Sequence, residues 1–225
     1  MDELERGDTA APHTRHTIRV PMAEGYLAAT VAGEGPQIAI LHGSKSNRFW
    51  AGPLISYLPD FQCIVPDRRG ELRGDSTAPG PPDGSDPSYP TLAADVHAVV
   101  RYVRAERPLV VGASWGAKIA LEYGAEGYPC AGIFCIDDTV WNSGGSLNEG
   151  LYERIACPIR MVFATDSPQE YPGWAYTPAA IAAFSARHPQ ICISWLRSGH
   201  DIAKQRPREL AQLIRSFAER VQSRS

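Results

Sequence analysis

The stretch Val110-Val111-Gly112-Ala113-Ser114-Trp115-Gly116-Ala117-Lys118-Ile119-Ala120-Leu121 joins an apolar, β-branched run to a helical pattern through Gly-x-Ser-x-Gly. The order predicts a buried strand over 109–111, a sharp turn, and an amphipathic helix over 115–123. A serine at such a turn sits in a strained backbone conformation that presents its Oγ outward. Glycines two residues before and after it let strand and helix approach closely. The helix N-terminus adds partial positive charge where an oxyanion would form. Ser114 is therefore a candidate nucleophile. The alternative is a glycine-rich turn in which Ser114 only caps the helix.

Outward from this stretch, strand and helix signals alternate. Strands are predicted over 17–20, 26–31, 37–41, 62–65, 109–111, 132–136, 159–163 and 191–196. Helices are predicted over 49–58, 92–104, 115–123, 178–187 and 208–222. The helix from Leu92 places Leu92, Val96, Val99, Val100 and Val103 on one apolar face, with Thr91 as its expected N-cap. Alternation of this kind implies right-handed crossovers and a mostly parallel sheet of about eight strands with helices on both faces. The short connection between the first two strands implies an antiparallel hairpin at one end. Residues 1–15 read as a disordered tail carrying His13, and 16–225 as one α/β domain. The Gly-, Pro- and Asp-rich span 70–90 reads as a long surface loop. His97 falls within a helix and His188 at a helix end, both away from the strand ends where such sheets do chemistry.

Composition excludes several classes of function. The 225 residues carry a formal net charge of −3, with no basic excess to bind a phosphate backbone, so no nucleic-acid partner is expected. No apolar run approaches the length of a membrane span. The acidic start Met1-Asp2-Glu3-Leu4-Glu5 has no apolar stretch behind it and argues against a secretory signal. Five cysteines, most of them in or beside predicted strands, read as reduced thiols in a cytoplasmic setting. None has the C-x-x-C spacing of a zinc or dithiol site, and no nucleotide motif is present, so no cofactor or metal is implied.

Further motifs resemble the α/β-hydrolase superfamily over nearly all of the chain after the tail. Ile38-Ala39-Ile40-Leu41-His42-Gly43 is similar to the family's strand ending in His-Gly. Asp67-Arg68-Arg69-Gly70 resembles its D-x-R-G turn, and Ser198-Gly199-His200 before an amphipathic helix resembles its histidine loop. The resemblance implies a Ser-His-Asp triad in which Ser114 attacks and His200 is the base. Its oxyanion donors would be the backbone N–H groups of Ser44 and Trp115. The chain order Ser, Asp, His favours Asp166, after the strand 159–163, as the acid. Asp138, with Asp137 beside it after the strand 132–136, is the alternative. His200 also stands on its own reading, in a glycine-containing loop between strand and helix.

Departures from the family pattern are also legible. Ala164 stands where members usually carry a glycine, and Ser44-Lys45-Ser46-Asn47 lacks the usual extra glycines, leaving Lys45 able to face the site. The connection from Asp137 to Ile155 has room for at most a minimal lid. Trp141, Trp174 and Tyr176, with Trp50, Tyr89 and Tyr171, are candidates to line an apolar pocket. The expected function is hydrolysis of a carboxylic ester, thioester or lactone on a small-molecule acyl substrate. Two alternatives remain on the same fold: a non-hydrolytic lyase or cyclase, and a non-catalytic ligand-binding protein.

Overall fold

A computed structural model of the protein describes residues 14–71, 73–137, 149–171 and 177–222. The strands are β1 (Arg15–Pro21), β2 (Tyr26–Ala32), β3 (Gln37–Leu41), β4 (Gln62–Pro66), β5 (Leu109–Ala113), β6 (Gly132–Ile136), β7 (Ile159–Ala164) and β8 (Ile191–Leu196). They form one sheet in the order β1-β2-β4-β3-β5-β6-β7-β8. β1 pairs antiparallel with β2, and β2 with β4, while the remaining neighbours are parallel. Every predicted strand is present. β1 starts at Arg15, which pairs with Ala32, so the ordered domain begins within the span read as tail. His13 and the rest of residues 1–13 lie outside the described residues.

The helices are α1 (Gly52–Ile55), α2 (Tyr89–Tyr102), α3 (Trp115–Ala125), α4 (Glu149–Glu153), α5 (Ser167–Glu170), α6 (Pro178–Arg187), α7 (Ile202–Gln205) and α8 (Pro207–Gln222). The central strands are buried on both faces, as parallel strands covered by crossovers must be. Ala39, Leu41 and Val110 face one core with Leu92, Ala117, Tyr123, Tyr152 and Phe184. Ile38, Ile40, Leu109 and Val111 face the other with Leu54, Ile202, Leu210, Ile214 and Phe217. The period-two alternation of each strand thus serves two helical layers. The amphipathic stripe Leu210, Ile214, Phe217 and Val221 seats α8 on the second face, where Phe217 meets Phe134 at 5.9 Å.

Three local expectations change. The helix expected over 49–58 is a 3₁₀ turn, Arg48–Ala51, followed by short α1. Pro53 has no N–H to continue an α ladder, and Gly52 N–H closes back three residues onto Phe49 O instead. α2 begins earlier than Leu92: Ser88 is its cap, accepting from Thr91 N, and Pro90 fits the first turn where no N–H is needed. The 70–90 span is fastened at its start. Thr77 and Ala78 N–H groups donate to Tyr26 O, and Ala28 N–H donates to Ser76 Oγ. Asp67 anchors its base, accepting from Asp75 N and from Arg48 N and Nη1. Among the described residues, no helix is long and apolar enough to cross a membrane.

Candidate active site

β5 delivers Ser114 to the C-terminal edge of the sheet, where parallel sheets bind ligands. Ser114 has φ 54° and ψ −117°, a conformation that non-glycine residues seldom adopt. Its side chain makes no capping bond to α3, which removes the reading of Ser114 as a mere helix cap. The two flanking glycines are steric necessities. A Cβ on Gly112 would lie 2.1 Å from Gly116 O, and one on Gly116 would lie 2.3 Å from Leu41 O. Without them α3 could not sit against the ends of β3 and β5. The same packing brings Gly43 over the elbow, where an added Cβ would lie 3.3 Å from Ser114 Cβ.

Ser44 therefore follows directly from a residue in contact with Ser114, and both Ser44 and Trp115 line the same cleft as Ser114 and His200. Trp115 is the first residue of α3, so its N–H has no acceptor within the helix. His42 is buried, and its Nδ1–H donates to Gly43 O at 2.9 Å, shaping the strand-to-loop turn. Burial, with help from the Arg68 charge, lowers the His42 pKa to about 4, so the ring is neutral at pH 7. The unfolded chain takes up this proton near pH 6.5 and the folded one near 4, so stability falls as pH drops through that window and is unaffected above it. The full loss is about 3 kcal/mol. Urea unfolding at pH 7 and at pH 4.5 should show that component in the wild type and not in His42→Asn. Identical pH dependences would contradict it.

His200 Nδ1 lies 2.7 Å from Asp137 Oδ2. The carboxylate on the imidazole is thus Asp137, at the end of β6, and the expectation of Asp166 is corrected. Asp137 is fully buried and turns sharply out of the strand at φ 43°. Its N–H donates to Val162 O, Oδ1 accepts from Ala164 N at 2.9 Å, and Oδ2 also accepts from Ser167 Oγ at 2.5 Å. Donors on both oxygens satisfy a buried charge that would otherwise be costly. Asp166 is exposed, accepts from Thr165 Oγ1 at 2.7 Å, and precedes short α5 as its cap residue. Asp138, the alternative acid, lies outside the described residues.

The histidine loop is braced by residues that no motif marked. Glu170 Oε2 accepts from His200 N at 2.8 Å, and Gln205 Oε1 accepts from Gly199 N at 2.8 Å. Tyr171 meets the His200 ring edge-on at 5.3 Å. Glu170 and Tyr171 reach the loop from the end of α5, about thirty residues earlier in the chain, whereas Gln205 closes α7 only six residues after Gly199. His97, as expected, packs away from the site, stacked on Tyr128. His188 caps the C-terminal end of α6, as expected, and is buried there beside Phe184 and Tyr152.

The cleft encloses about 990 Å³. Lys45, Trp50, Tyr89, Lys118 and Tyr171 line it. The Arg68 guanidinium lies 4.3 Å over the Trp115 ring, whose Nε1 donates to Tyr89 OH at 2.6 Å. A neighbouring hollow of about 530 Å³ beneath residues 69–87 shares Arg68, Glu71, Asp86 and Trp115 with the cleft. The long loop thus forms a wall of the site. Trp141, Trp174 and Tyr176, expected pocket residues, lie outside the described residues, as does most of the connection expected to carry a minimal lid.

Comparison with known proteins agrees with this architecture. A model of the alpha/beta hydrolase family matches residues 38–220. The AB hydrolase superfamily protein YfhM of Bacillus subtilis (strain 168) is 32% identical over 103 residues, covering 42% of this chain and 32% of that protein. The soluble epoxide hydrolase of Corynebacterium sp. (strain C12) is 30% identical over 112 residues, covering 49% and 37%. The chain spans about a third of the length of these curated relatives. Among solved structures, the thioesterase domain from the curacin biosynthetic pathway superposes with a TM-score of 0.75 at 13% identity, covering 89% of this chain and 99% of that domain.

Proposed function

The chain belongs to the alpha/beta hydrolase family, and from that premise we propose that it is a serine hydrolase of carboxylic esters, thioesters or lactones working through an acyl-enzyme on Ser114. The observation that carries this reading is the 2.7 Å contact between His200 Nδ1 and the buried Asp137 carboxylate, on a histidine that shares a cleft with the strained Ser114 elbow.

With Nδ1 held by Asp137, the opposite ring nitrogen, Nε2, takes the Ser114 proton as Oγ attacks the carbonyl carbon. Asp137 fixes the tautomer and stabilises the imidazolium that forms. The Ser44 and Trp115 N–H groups receive the oxyanion. The imidazolium then returns its proton to the departing alkoxide or thiolate. Water, activated by the same histidine, frees the acid and restores Ser114. The reading calls for no cofactor, and its partner is a small acyl substrate. Lys45 and Lys118 on the cleft wall would meet the substrate's polar end. Cysteines outside any disulfide suit a cytoplasmic setting.

The test is turnover of p-nitrophenyl esters of increasing acyl length, beside a thioester and a lactone, with the released acid identified. The reading predicts an initial burst of p-nitrophenol followed by steady release of free acid. Consumption of substrates without hydrolysis would favour a lyase or cyclase. Tight binding without any turnover would favour a ligand-binding protein.

A further inference from the structure

The Sγ atoms of Cys130 and Cys157 lie 3.4 Å apart, where the chain enters β6 and β7. These strands are hydrogen-bonded neighbours, and Ile133 N donates to Pro158 O at 3.0 Å, so the two backbones already run side by side there. A disulfide needs its sulfurs at about 2.0 Å. The sulfurs stand roughly 1.4 Å farther apart than that, in direct contact but unbonded. The other three cysteines are differently placed. Cys63 and Cys135 are buried in β4 and β6, and Cys192 accepts from Arg220 Nη2 at 3.1 Å.

We propose that Cys130 and Cys157 form a redox-modification site, a dithiol that a hydroperoxide converts reversibly to a disulfide bridging the entries of β6 and β7. Cys157 is the partly exposed member, the more open of the two to an oxidant, while Cys130 is buried. The Cys130 thiol hydrogen-bonds Cys157, lowering the Cys157 pKa and raising that of Cys130, so Cys157 is the nucleophile. The Cys157 thiolate attacks one oxygen of hydrogen peroxide, forming S–O and breaking O–O. The hydroxide that leaves takes up the proton Cys157 had released and becomes water. Cys130 Sγ then attacks the Cys157 sulfenic sulfur, forming S–S and breaking S–O, and the second hydroxide leaves as water with the Cys130 proton. Two thiols lose two electrons in all, and one peroxide becomes two waters. The closed loop, residues 131–156, contains β6 and Asp137, and the bridge stabilises the fold by restricting that loop in the unfolded chain.

The test treats the full chain with one equivalent of hydrogen peroxide, counts thiols after unfolding, and maps the bridge by mass spectrometry without reduction. The thiol count should fall from five to three, with 130 and 157 joined, and dithiothreitol should restore it. The oxidised protein should melt roughly 5–10 °C higher. In Cys130→Ser, dimedone should trap a sulfenic acid at Cys157 several-fold more than in wild type, because no second thiol resolves it. A count that stays at five, a bridge between other cysteines, or Cys157 passing to sulfinic acid with Cys130 untouched would overturn the proposal. The wild-type thiol count decides the matter even if the variant fails to fold.

Discussion

Ser114→Ala should lower kcat for ester hydrolysis by on the order of 10⁵- to 10⁶-fold, the loss expected if Ser114 is the nucleophile of a triad. The effect on folding should be small. Ser114 Oγ caps no helix, so its removal changes stability by about 0.5 kcal/mol or less. Ser114→Gly separates chemistry from strain. It abolishes turnover equally, yet it should raise stability by about 1 kcal/mol, because glycine occupies positive φ without the penalty serine bears at φ 54°. Urea unfolding of the three proteins beside their steady-state rates checks both halves. Retained activity in either variant would remove Ser114 from the chemistry.

Asp137→Asn should cost on the order of 10⁴-fold in kcat while Asp166→Asn stays within about threefold of wild type. Asparagine keeps the volume but loses the charge that stabilises the imidazolium. It also presents an N–H₂ group where Ala164 N, Ser167 Oγ and His200 Nδ1 now converge on the Asp137 oxygens. A loss of this size in a variant that remains folded by circular dichroism assigns the acid. The reverse ranking would return the role to Asp166.

The contrast between these aspartates marks how far the sequence could be read. The elbow was legible because its requirement is local: Gly112 and Gly116 are the positions where a Cβ would strike backbone. The strands were legible because their apolar runs serve cores on both faces. The carboxylate that meets His200 was not, because both candidate turns carry aspartate in positions the chain order permits. The choice depends on which side chain reaches His200, and that is set by the turn at Asp137 and by the β6–β7 register. Ser167 held a partial clue, a small polar residue that the fold buries against Asp137. Glu170 gave no local signal, since it acts on His200 N–H from α5, 30 residues earlier, and Gln205, though it closes α7 just after the loop, belongs to no motif that marks its bond to Gly199 N. The 70–90 span was recognisable as a loop by composition, but its fastening to β2 and its place in the cleft wall are tertiary facts.

The activated serine is most directly tested by treating the full chain with a fluorophosphonate and locating the adduct by peptide mass spectrometry. One covalent phosphonyl group per chain should form on Ser114, and labelling should slow by several orders of magnitude in His200→Ala. An unlabelled protein, or label distributed over other hydroxyls at a rate indifferent to His200, would contradict a nucleophile made reactive by that imidazole.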